Sequence, residues 1–435
     1  MLISFAVTNF RSIRERMEIT TLKSGLKGLI SNYFKAPNNK QLLKSAVIYG
    51  PNASGKTGFL TALNALEYLV LKSGSFKPDD DMDTYEPHRL EKNYAGMPVT
   101  FEISFINQLQ YDYIVSFSEK EIVQEDLYYY PSNTRSLLFS RYAGKEIKFG
   151  DYYKGPKKTL EKLLLPNQLL LSKAVENKAE DILLSAFRFF ASGLRVFPMI
   201  EAFHEYDLTM LYAKRLAEDK DKLFAKKFHA MICALDTGIS SVSVEEVDWK
   251  DFKFPGNMPD EAKKQIQEDY KYDVRTQHFL YDKKEKIGFE SFDMRQESAG
   301  TKSLFVMGGI ILDALAFGRV LVVDEFEKNL HPNITGFLIQ LFHNPMVNKK
   351  NAQLIFATHD ISQLSNDRFR RDQVWFTQKD EFGSTELIRC SNIPGIRLSA
   401  PLDKWYASGR LGGTPIINDV DFLIEMQGDD ETEGK

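Results

Sequence analysis

The chain has 435 residues, 43% of them hydrophobic and 27% charged, which is enough for two or three domains with large buried cores. The 56 lysines and arginines nearly balance the 60 aspartates and glutamates. The resulting net charge of -4 provides no overall attraction to nucleic acid or anionic lipid, so such binding would need a local patch. The two cysteines, Cys233 and Cys390, are far apart and exclude a disulfide framework and a cysteine-type zinc site.

The start of the sequence does not resemble a signal peptide, because no basic region is followed by an apolar run. The most apolar stretch, 304–318, is about 15 residues long and contains Asp313. It is shorter than a membrane-spanning helix and therefore predicts a buried one. We expect a cytoplasmic protein that has no membrane partner.

The first third of the sequence is rich in short β-prone runs. Three of them alternate between apolar and polar residues and predict an antiparallel meander at 99–106, 111–118 and 121–130. Shorter runs predict strands at 2–9, 16–22 and 45–49. Helical spacing of apolar residues predicts a helix at 56–71.

The middle of the sequence changes to helical spacing, and strands return after it. One amphipathic helix is predicted over 179–190, and a second runs from a cap at Asp207 to about Gly238. Later elements are a short helix at 260–269, strands within 275–293, a helix at 304–317 and buried parallel strands at 320–323 and 354–357.

The segment Gly50-Pro-Asn-Ala-Ser-Gly-Lys-Thr57 matches the pattern G-x-x-x-x-G-K-[ST] between an apolar strand and a helix. Its glycines let successive backbone N–H groups face one anion, and the helix N-terminus adds its positive dipole end. The lysine would reach the β- and γ-phosphates of a nucleotide, and the threonine hydroxyl would bind Mg²⁺. A strand-to-helix turn without a ligand is the alternative. The candidate nucleotide-binding residues are Asn52, Ala53, Ser54, Gly55, Lys56 and Thr57.

Two carboxylates follow directly after the apolar run 320–323. A buried parallel strand brings its carboxyl end to the ligand edge of a sheet. Asp324 would therefore hold Mg²⁺, and Glu325 would act as the general base for the attacking water. Alone, a strand that ends in Asp-Glu is as often structural as functional, but its pairing with the phosphate loop favours function.

A third motif, Glu297-Ser-Ala-Gly-Thr-Lys302, opens the apolar helix and forms a second helix N-terminus suited to an anion. In a single chain this site has no obvious phosphate of its own. In a head-to-tail dimer, Ser298, Gly300 and Thr301 would contact the γ-phosphate bound by the partner, and a plain capped helix is the alternative. His359 follows the run 354–357 at a strand end, where a role at the phosphates is favoured over a structural one.

In this order, the segments GPNASGKT, ESAGTK, VLVVDE and ATHD resemble the motifs of the ATP-binding cassette (ABC) class of P-loop ATPases. The sequence NFRS at 9–12 and the D-E-x-E-x-x-L-H-P stretch at 324–332 resemble the SMC-related and OLD-type subgroup. ESAGTK and the late Y-x-x-G-R-x-G-x-x-P sequence at 406–415 are similar to AAA-type ATPases of bacterial abortive-infection and anti-phage gene pairs, which lack a Toprim nuclease domain.

The resemblance implies an α/β P-loop NTPase of ABC-ATPase type, with a mixed sheet, an antiparallel β meander in the N-terminal lobe and a helical insertion. It implies Mg²⁺-dependent ATP hydrolysis with Glu325 and His359 as catalytic residues, Arg11 as a further nucleotide contact, and a homodimer or higher homo-oligomer. The expected domains are an N-terminal ATPase lobe at 1–155, a mostly helical insertion at 156–272, a C-terminal ATPase lobe at 273–400 and a C-terminal segment with an acidic tail at 401–435.

Three functions are compatible with these motifs. The favoured one is a sensor or scaffold ATPase of phage defence that controls a separate effector protein, because no set of residues for nucleic-acid cleavage is evident. The second is a DNA-repair or chromosome-associated ATPase that clamps DNA, for which the lysines at 220–222 and 283–286 are too mixed with acids to form a basic stripe. The third is an OLD-type nuclease, for which Asp419-Val-Asp421 is a weak signal and too few residues remain for a Toprim domain.

Overall fold

The computed structural model describes residues 1–132, 134–177, 179–198, 202–235, 237–250, 252–397, 400–415 and 419–428. The strands, in chain order, are β1 (Leu2–Thr8), β2 (Met17–Thr20), β3 (Tyr33–Lys35), β4 (Gln41–Leu43), β5 (Ser45–Tyr49), β6 (Val99–Asn107), β7 (Leu109–Phe117), β8 (Ile122–Tyr130), β9 (Ser136–Tyr142), β10 (Lys148–Phe149), β11 (Leu194–Phe197), β12 (Ile239–Glu246), β13 (Tyr272–Asp282), β14 (Glu285–Asp293), β15 (Val320–Val323), β16 (Gln353–Ala357), β17 (Val374–Lys379) and β18 (Thr385–Arg389). The α-helices are α1 (Lys56–Lys72), α2 (Lys157–Leu163), α3 (Leu170–Glu176), α4 (Asp181–Arg188), α5 (Ala202–Ala217), α6 (Leu223–Ala234), α7 (Asp260–Asp269), α8 (Ala299–Phe317), α9 (Pro332–His343), α10 (Leu402–Ala407) and α11 (Asp419–Gly428).

The first sheet is antiparallel and has the strand order β10-β9-β8-β7-β6-β1-β2. Alternate residues of β6 are buried, as expected for a strand that has one face on a core. Phe101 of β6 lies opposite Val115 of β7 and Val7 of β1, and all three side chains are buried. The antiparallel meander predicted in the first third of the chain is confirmed.

The second sheet has the order β11-β15-β16-β5-β17-β18, in which only the pair β17–β18 is antiparallel among the described strands. Every residue of β5 and β15 is buried, because the sheet has a core on each face. Ala46 and Ile48 join the core that contains α1 and the first sheet, whereas Val47 and Tyr49 join the core that contains α8 and α9. The predicted α/β fold with a mixed sheet and buried parallel strands is therefore confirmed.

The segment 156–272 is rich in helices but is interwoven with the two sheets. Its strand β11 pairs in parallel with β15, with Leu194 opposite Val320, and forms an edge of the second sheet. Helices α3 and α4 pack on the core of the first sheet through Leu171 and Leu183. The domain boundaries at 156 and 272 remain a prediction.

The single helix expected from Asp207 to about Gly238 is wrong, because two helices occupy this range. The first, α5, begins before Asp207, and five charged residues at 218–222 separate it from α6. Lys222 has a left-handed φ of 50°, and the Asp219 carboxylate accepts the N–H of Ala225 at 2.8 Å. Apolar spacing continues across the break and hid it in the sequence.

The apolar helix α8 has 19 residues and begins earlier than predicted. By length and composition it is the one helix among the described residues that could cross a membrane. However, 61% of its most apolar stretch of 18 residues is buried inside the protein, and the helix packs against α5 and α6. This burial is typical of the core helix of a folded domain.

The sequence at 406–415, of unknown role from the sequence alone, packs against β17. Tyr406 stacks on Phe376 with ring centroids 5.4 Å apart, and its hydroxyl donates to the carbonyl of Gly413 at 2.7 Å. Burial raises the pKa of the Tyr406 phenol to about 12. Gly413 has a φ of 65°, and a Cβ there would lie 3.0 Å from the carbonyl oxygen of Thr377. The predicted acidic tail, 429–435, lies outside the described residues.

We expect Gly413→Ala to destabilise the protein more than Gly395→Ala does. Both glycines have left-handed φ angles, 65° and 79°, so each alanine brings backbone strain of about 1–2 kcal/mol. Only at Gly413 does the added Cβ press on backbone, and this contact adds about 1–3 kcal/mol, because it forces β17 or the loop to move. Urea unfolding of both variants measures the difference, and equal losses would show that the contact does not constrain β17.

Candidate nucleotide site

The phosphate loop, 50–57, connects β5 to α1 at the carboxyl end of an inner strand of the second sheet. Gly55 has a φ of 103° and is the N-cap residue of α1, a conformation that residues with a Cβ rarely adopt. A Cβ on Gly50 would lie only 2.7 Å from the carbonyl oxygen of Thr377. The backbone geometry therefore requires glycine at both positions of the pattern.

Strands from late in the chain hold the loop in shape. The hydroxyls of Ser54 and Thr377 share a hydrogen bond of 2.6 Å, and the Thr385 hydroxyl donates to the Ser54 carbonyl at 2.9 Å. Ser12 in turn holds Thr385, through a bond of 2.8 Å between the hydroxyls and through its carbonyl, which accepts the Thr385 N–H at 2.8 Å. These contacts fix the loop without using the side chains of Lys56 and Thr57.

The Lys56 ammonium folds back onto its own loop, where it donates to the carbonyl of Gly50 at 2.8 Å. Lys56 is 5% exposed, and burial lowers the pKa of its ammonium, whereas the nearby carboxylates of Asp324, Glu327 and Glu325 act in the opposite direction. Its present acceptors are neutral carbonyls. An anionic phosphate could replace them with a gain in free energy, because a full negative charge attracts the ammonium more strongly than the partial charge of a carbonyl oxygen does.

Thr57 and Asp324 are far apart in the sequence but in direct contact. The Thr57 hydroxyl donates to one oxygen of Asp324, and the other oxygen accepts the N–H of Glu325 at 3.0 Å. Asp324 is 8% exposed, and burial is the main cause that raises the pKa of its carboxyl. A divalent cation would favour the ionised carboxylate, and Mg²⁺ prefers such hydroxyl and carboxylate oxygens.

The described residues contain no group of three His, Cys, Asp or Glu side chains that could hold a metal ion by itself. Mg²⁺ characteristically uses one or two protein oxygens and completes its shell with water and substrate phosphates. The pair Thr57 and Asp324 fits that requirement. A cation here would depend on a bound nucleotide for its other ligands.

Glu325 occupies a strained backbone position, with a φ of 48°. Left-handed φ angles in non-glycine residues cost about 1–3 kcal/mol and cluster at functional sites. Glu325 lines a cavity of about 250 Å³ together with Thr57, Asp324 and Asn329. The candidate general base and the candidate metal ligands therefore border the same space.

The structure adds Glu327, which lies in the D-E-x-E sequence but received no role from it. Its Oε1 accepts the backbone N–H of His359 at 2.6 Å, and its Oε2 is buried without a hydrogen-bond partner in the described part of the chain. Burial lowers the pKa of the His359 imidazole, and the charge of Lys56 lowers it further. The neutral imidazole, which can accept or donate one proton, is thus favoured near pH 7.

The segment 297–302, which we call the signature segment, lies beside the loop that follows Glu325. The Ser298 hydroxyl accepts the N–H of Thr301 at 3.1 Å and caps α8, and Ser298 is exposed. A Cβ on Gly300 would lie 2.8 Å from the carbonyl oxygen of Asn329. Among the hydrogen bonds of the described residues, none connects Ser298, Gly300 or Thr301 to the phosphate loop of the same chain.

Arg11 lies beside α1 but is already paired. Its guanidinium donates to both oxygens of Glu86, at 2.6 and 3.0 Å, and to the Thr61 hydroxyl at 3.3 Å. A nucleotide contact from Arg11 would have to share or replace the Glu86 pair. Asn52 and Ala53 are exposed on the phosphate loop, where Ala53 has a φ of 60°.

Sequence comparison finds a match to the family described as "AAA domain, putative AbiEii toxin, Type IV TA system", over residues 45–193 and 234–365. The matched ranges include the phosphate loop, the signature segment, Asp324 and His359. No curated protein matches the chain.

Three solved structures with a distant likeness are heads of SMC proteins. The SmcHead bound to the C-winged helix domain of ScpA is 10% identical, with 89% of this chain and 96% of that chain covered and a TM-score of 0.39. The SMC head domain from Thermotoga maritima is 11% identical, with coverages of 89% and 98% and a TM-score of 0.36. The Smc head domain with an extended coiled coil, bound to the C-terminal domain of ScpA derived from Pyrococcus furiosus, is 10% identical, with coverages of 89% and 95% and a TM-score of 0.40.

The two matched ranges together make up more than half of the chain and lie on both sides of the site described above. The chain therefore belongs to this family of AAA ATPase domains.

Proposed function

We propose that this protein binds ATP with Mg²⁺ and hydrolyses it at a site completed by a second copy of the chain. The observation that carries the proposal is the convergence of Lys56, Thr57, Asp324 and Glu325 at one edge of the second sheet. His359 lies beside them, and its backbone N–H donates a hydrogen bond to Glu327. These groups supply a phosphate cation, metal ligands, a base and a polar group near the γ-phosphate.

Nucleotide binding starts from the preformed phosphate loop. The backbone N–H groups of 50–57 and the start of α1 receive the phosphates, and Lys56 exchanges its loop carbonyls for phosphate oxygens. Thr57 and Asp324 would hold Mg²⁺, and that ion would neutralise charge on the phosphates. Glu325 accepts the proton of the attacking water, and His359 contacts the γ-phosphate side of the site.

A second copy is required because Ser298, Gly300 and Thr301 form an anion site that has no phosphate in its own chain. The start of α8 is exposed and capped by Ser298 itself, so its remaining N–H groups can face a ligand. Placed against the phosphate loop of a partner, this helix end would stabilise charge on the γ-phosphate. ATP would then hold the two subunits together.

In the cell, we propose that this ATPase is the sensor or scaffold of an anti-phage system and controls a separate effector protein. The family description names a toxin of a TA system, which agrees with action in a pair of proteins. Clamping of DNA by an SMC-like dimer is the second candidate, favoured by the resemblance of the motifs at 9–12 and 324–332. Identification of what co-purifies with the tagged full chain after phage infection separates a protein effector from DNA.

Replacement of the loop lysine tests nucleotide binding. We expect Lys56→Ala to abolish ATP binding, because it removes the buried cation beside the phosphate loop. Lys72→Ala, at the exposed end of the same helix, is the control and should bind normally. Isothermal titration with a non-hydrolysable ATP analogue measures both, and an unchanged affinity in Lys56→Ala would contradict the assignment.

Substitution of Glu325 and of Glu327 tests which of the two carboxylates is the general base. Glu325→Gln should keep ATP bound but reduce kcat by about 10²–10⁴-fold, because an amide cannot accept the proton. Glu327→Gln should reduce kcat far less, since its amide oxygen can still accept the hydrogen bond from the backbone N–H of His359. Single-turnover hydrolysis measures both rates. The reverse order of effects would transfer the role of base to Glu327.

The signature segment can be tested without loss of the helix cap. Ser298→Asp and Ser298→Asn both preserve a good N-cap, but only aspartate places a negative charge against the partner's γ-phosphate. We expect Ser298→Asp to bind ATP yet lose hydrolysis and ATP-dependent dimerisation, and Ser298→Asn to retain most of both. Mixing Ser298→Asp with Lys56→Ala subunits should restore part of the activity, since one composite site is intact. Normal hydrolysis by Ser298→Asp alone would exclude a role in the partner's site.

A further inference from the structure

A small cavity lies between the edge strand β11 and the helices α5 and α8. It has a volume of about 230 Å³, and Leu211 of α5, which lines it, is 55% exposed, so the cavity lies near the surface. The cavity beside Glu325 is a different one, because the two share no residue in the described part of the chain. A group bound between β11, α5 and α8 would therefore leave the nucleotide site free.

Positive charge predominates around this cavity. Asp313 of α8 forms ion pairs with Arg215 of α5 and with Arg319, the latter at 3.6 Å. Arg195 of β11 lines the cavity together with Arg319 and Asp313. Burial lowers the pKa of the Arg319 guanidinium, and the like charge of Arg195 lowers it further. Three guanidinium groups thus lie around one carboxylate.

Two further groups add little negative charge to the cavity. Glu67 of α1 interacts with Arg195, but burial raises the pKa of its carboxyl to about 8, so this carboxyl is mostly protonated and neutral at pH 7. The carboxyl end of α8, at Phe317, contributes the equivalent of about half an elementary charge. These described groups together therefore leave more than one positive charge unbalanced.

Two hydrogen-bond donors at the cavity have no acceptor among the described residues. The Arg319 side chain is 17% exposed, and its Nε is buried without a hydrogen-bond partner. Tyr212 is 4% exposed, and its hydroxyl makes no hydrogen bond with a described residue. Burial raises the pKa of this phenol, and Asp313 and the arginines act on it as well, because the hydroxyl lies close to their charges. Buried polar groups are nearly always paired, so both donors indicate an acceptor from outside the chain.

The groups around the cavity are held in place from within the chain. Nη1 of Arg195 donates to the carbonyls of Ala191 at 3.0 Å and of Leu194 at 2.9 Å. The Tyr212 ring packs so closely on α8 that Gly309 has no room for a Cβ. Groups that are fixed before binding lose little conformational freedom when a ligand arrives.

We propose that this cavity binds a divalent oxyanion of the phosphate class through Arg195, Arg319 and the Tyr212 hydroxyl. Guanidinium groups match the geometry of phosphate oxygens and bind them through paired hydrogen bonds. A dianion balances the excess of positive charge, whereas a monovalent ion would leave part of it. The volume is below that of cavities for drug-sized ligands, so the ligand is phosphate itself or a small phosphate ester. Because α8 begins at the signature segment, the anion would also tie that helix to β11.

The test measures phosphate binding by the full chain in a Lys56→Ala parent, because the intact phosphate loop would itself bind phosphate. Isothermal titration with inorganic phosphate, at constant ionic strength and without nucleotide, should show binding to this parent. Arg319→Gln, added to the parent, should raise the phosphate Kd roughly tenfold, because it removes a charge-assisted hydrogen bond. Tyr212→Phe keeps the ring on α8 but loses the hydroxyl, and should raise the Kd roughly fivefold. Arg410→Gln removes an exposed arginine elsewhere and is the matched control, which should leave the Kd unchanged.

Thermal unfolding in phosphate and in chloride, at equal ionic strength, gives a second measurement. Phosphate should raise the Tm of the parent more than that of Arg319→Gln, because a ligand stabilises the folded state that binds it. An arginine with a structural role alone would change the Tm equally in both salts. A parent that does not bind phosphate, or equal affinities of the parent, Arg319→Gln and Tyr212→Phe, would overturn the proposal.

A parallel titration with glycerol 3-phosphate distinguishes the two sources of the anion. Tighter binding of the ester than of inorganic phosphate would assign the cavity to a small phosphate ester, and the reverse order would assign it to the free ion. Neither titration uses ATP or the signature segment. Failure of this anion site would therefore leave the proposed ATPase unaffected.

Discussion

The contact between the Thr57 hydroxyl and the Asp324 carboxylate depends on the order of three parallel strands. β16 lies between β5 and β15, with Val322 opposite Ile355 and Ile355 opposite Ala46. This alignment places the carboxyl ends of all three strands at one edge, and each strand delivers one part of the candidate site. The phosphate loop follows β5, the carboxylates follow β15, and His359 follows β16. Alternate residues of these strands pack in two different cores, so a shift by one residue would exchange the side chains that fill each core.

The parts of the site that depend on local sequence were predicted from the sequence. The spacing of Gly50, Gly55, Lys56 and Thr57 predicts a strand-to-helix turn in which Gly55 adopts a left-handed φ. The alternating runs of the meander predict strands with one buried face, and the apolar runs of β15 and β16 predict strands that are buried on both faces. Periodicity predicts these elements because each one meets a single kind of environment along its length.

Sequence patterns did not predict the features that depend on contacts between residues far apart in the chain. β11 is only four residues long and contains Arg195, and it becomes a strand because β15 offers a free edge. The contact of Glu327 with the His359 backbone joins loops 32 residues apart in the sequence, and no spacing rule predicts it. The apolar spacing that suggested one long helix after Asp207 reflects two helices that pack on the same core around α8.

The support of the phosphate loop by Thr377 and Thr385 has a consequence for biosynthesis. The loop itself emerges from the ribosome early, but its braces follow more than 300 residues later. Contacts of such long sequence separation form slowly, and a nascent chain holds the unbraced loop and the open edges of β5 until then. The phosphate loop therefore reaches its braced conformation only after nearly the whole polypeptide has been translated.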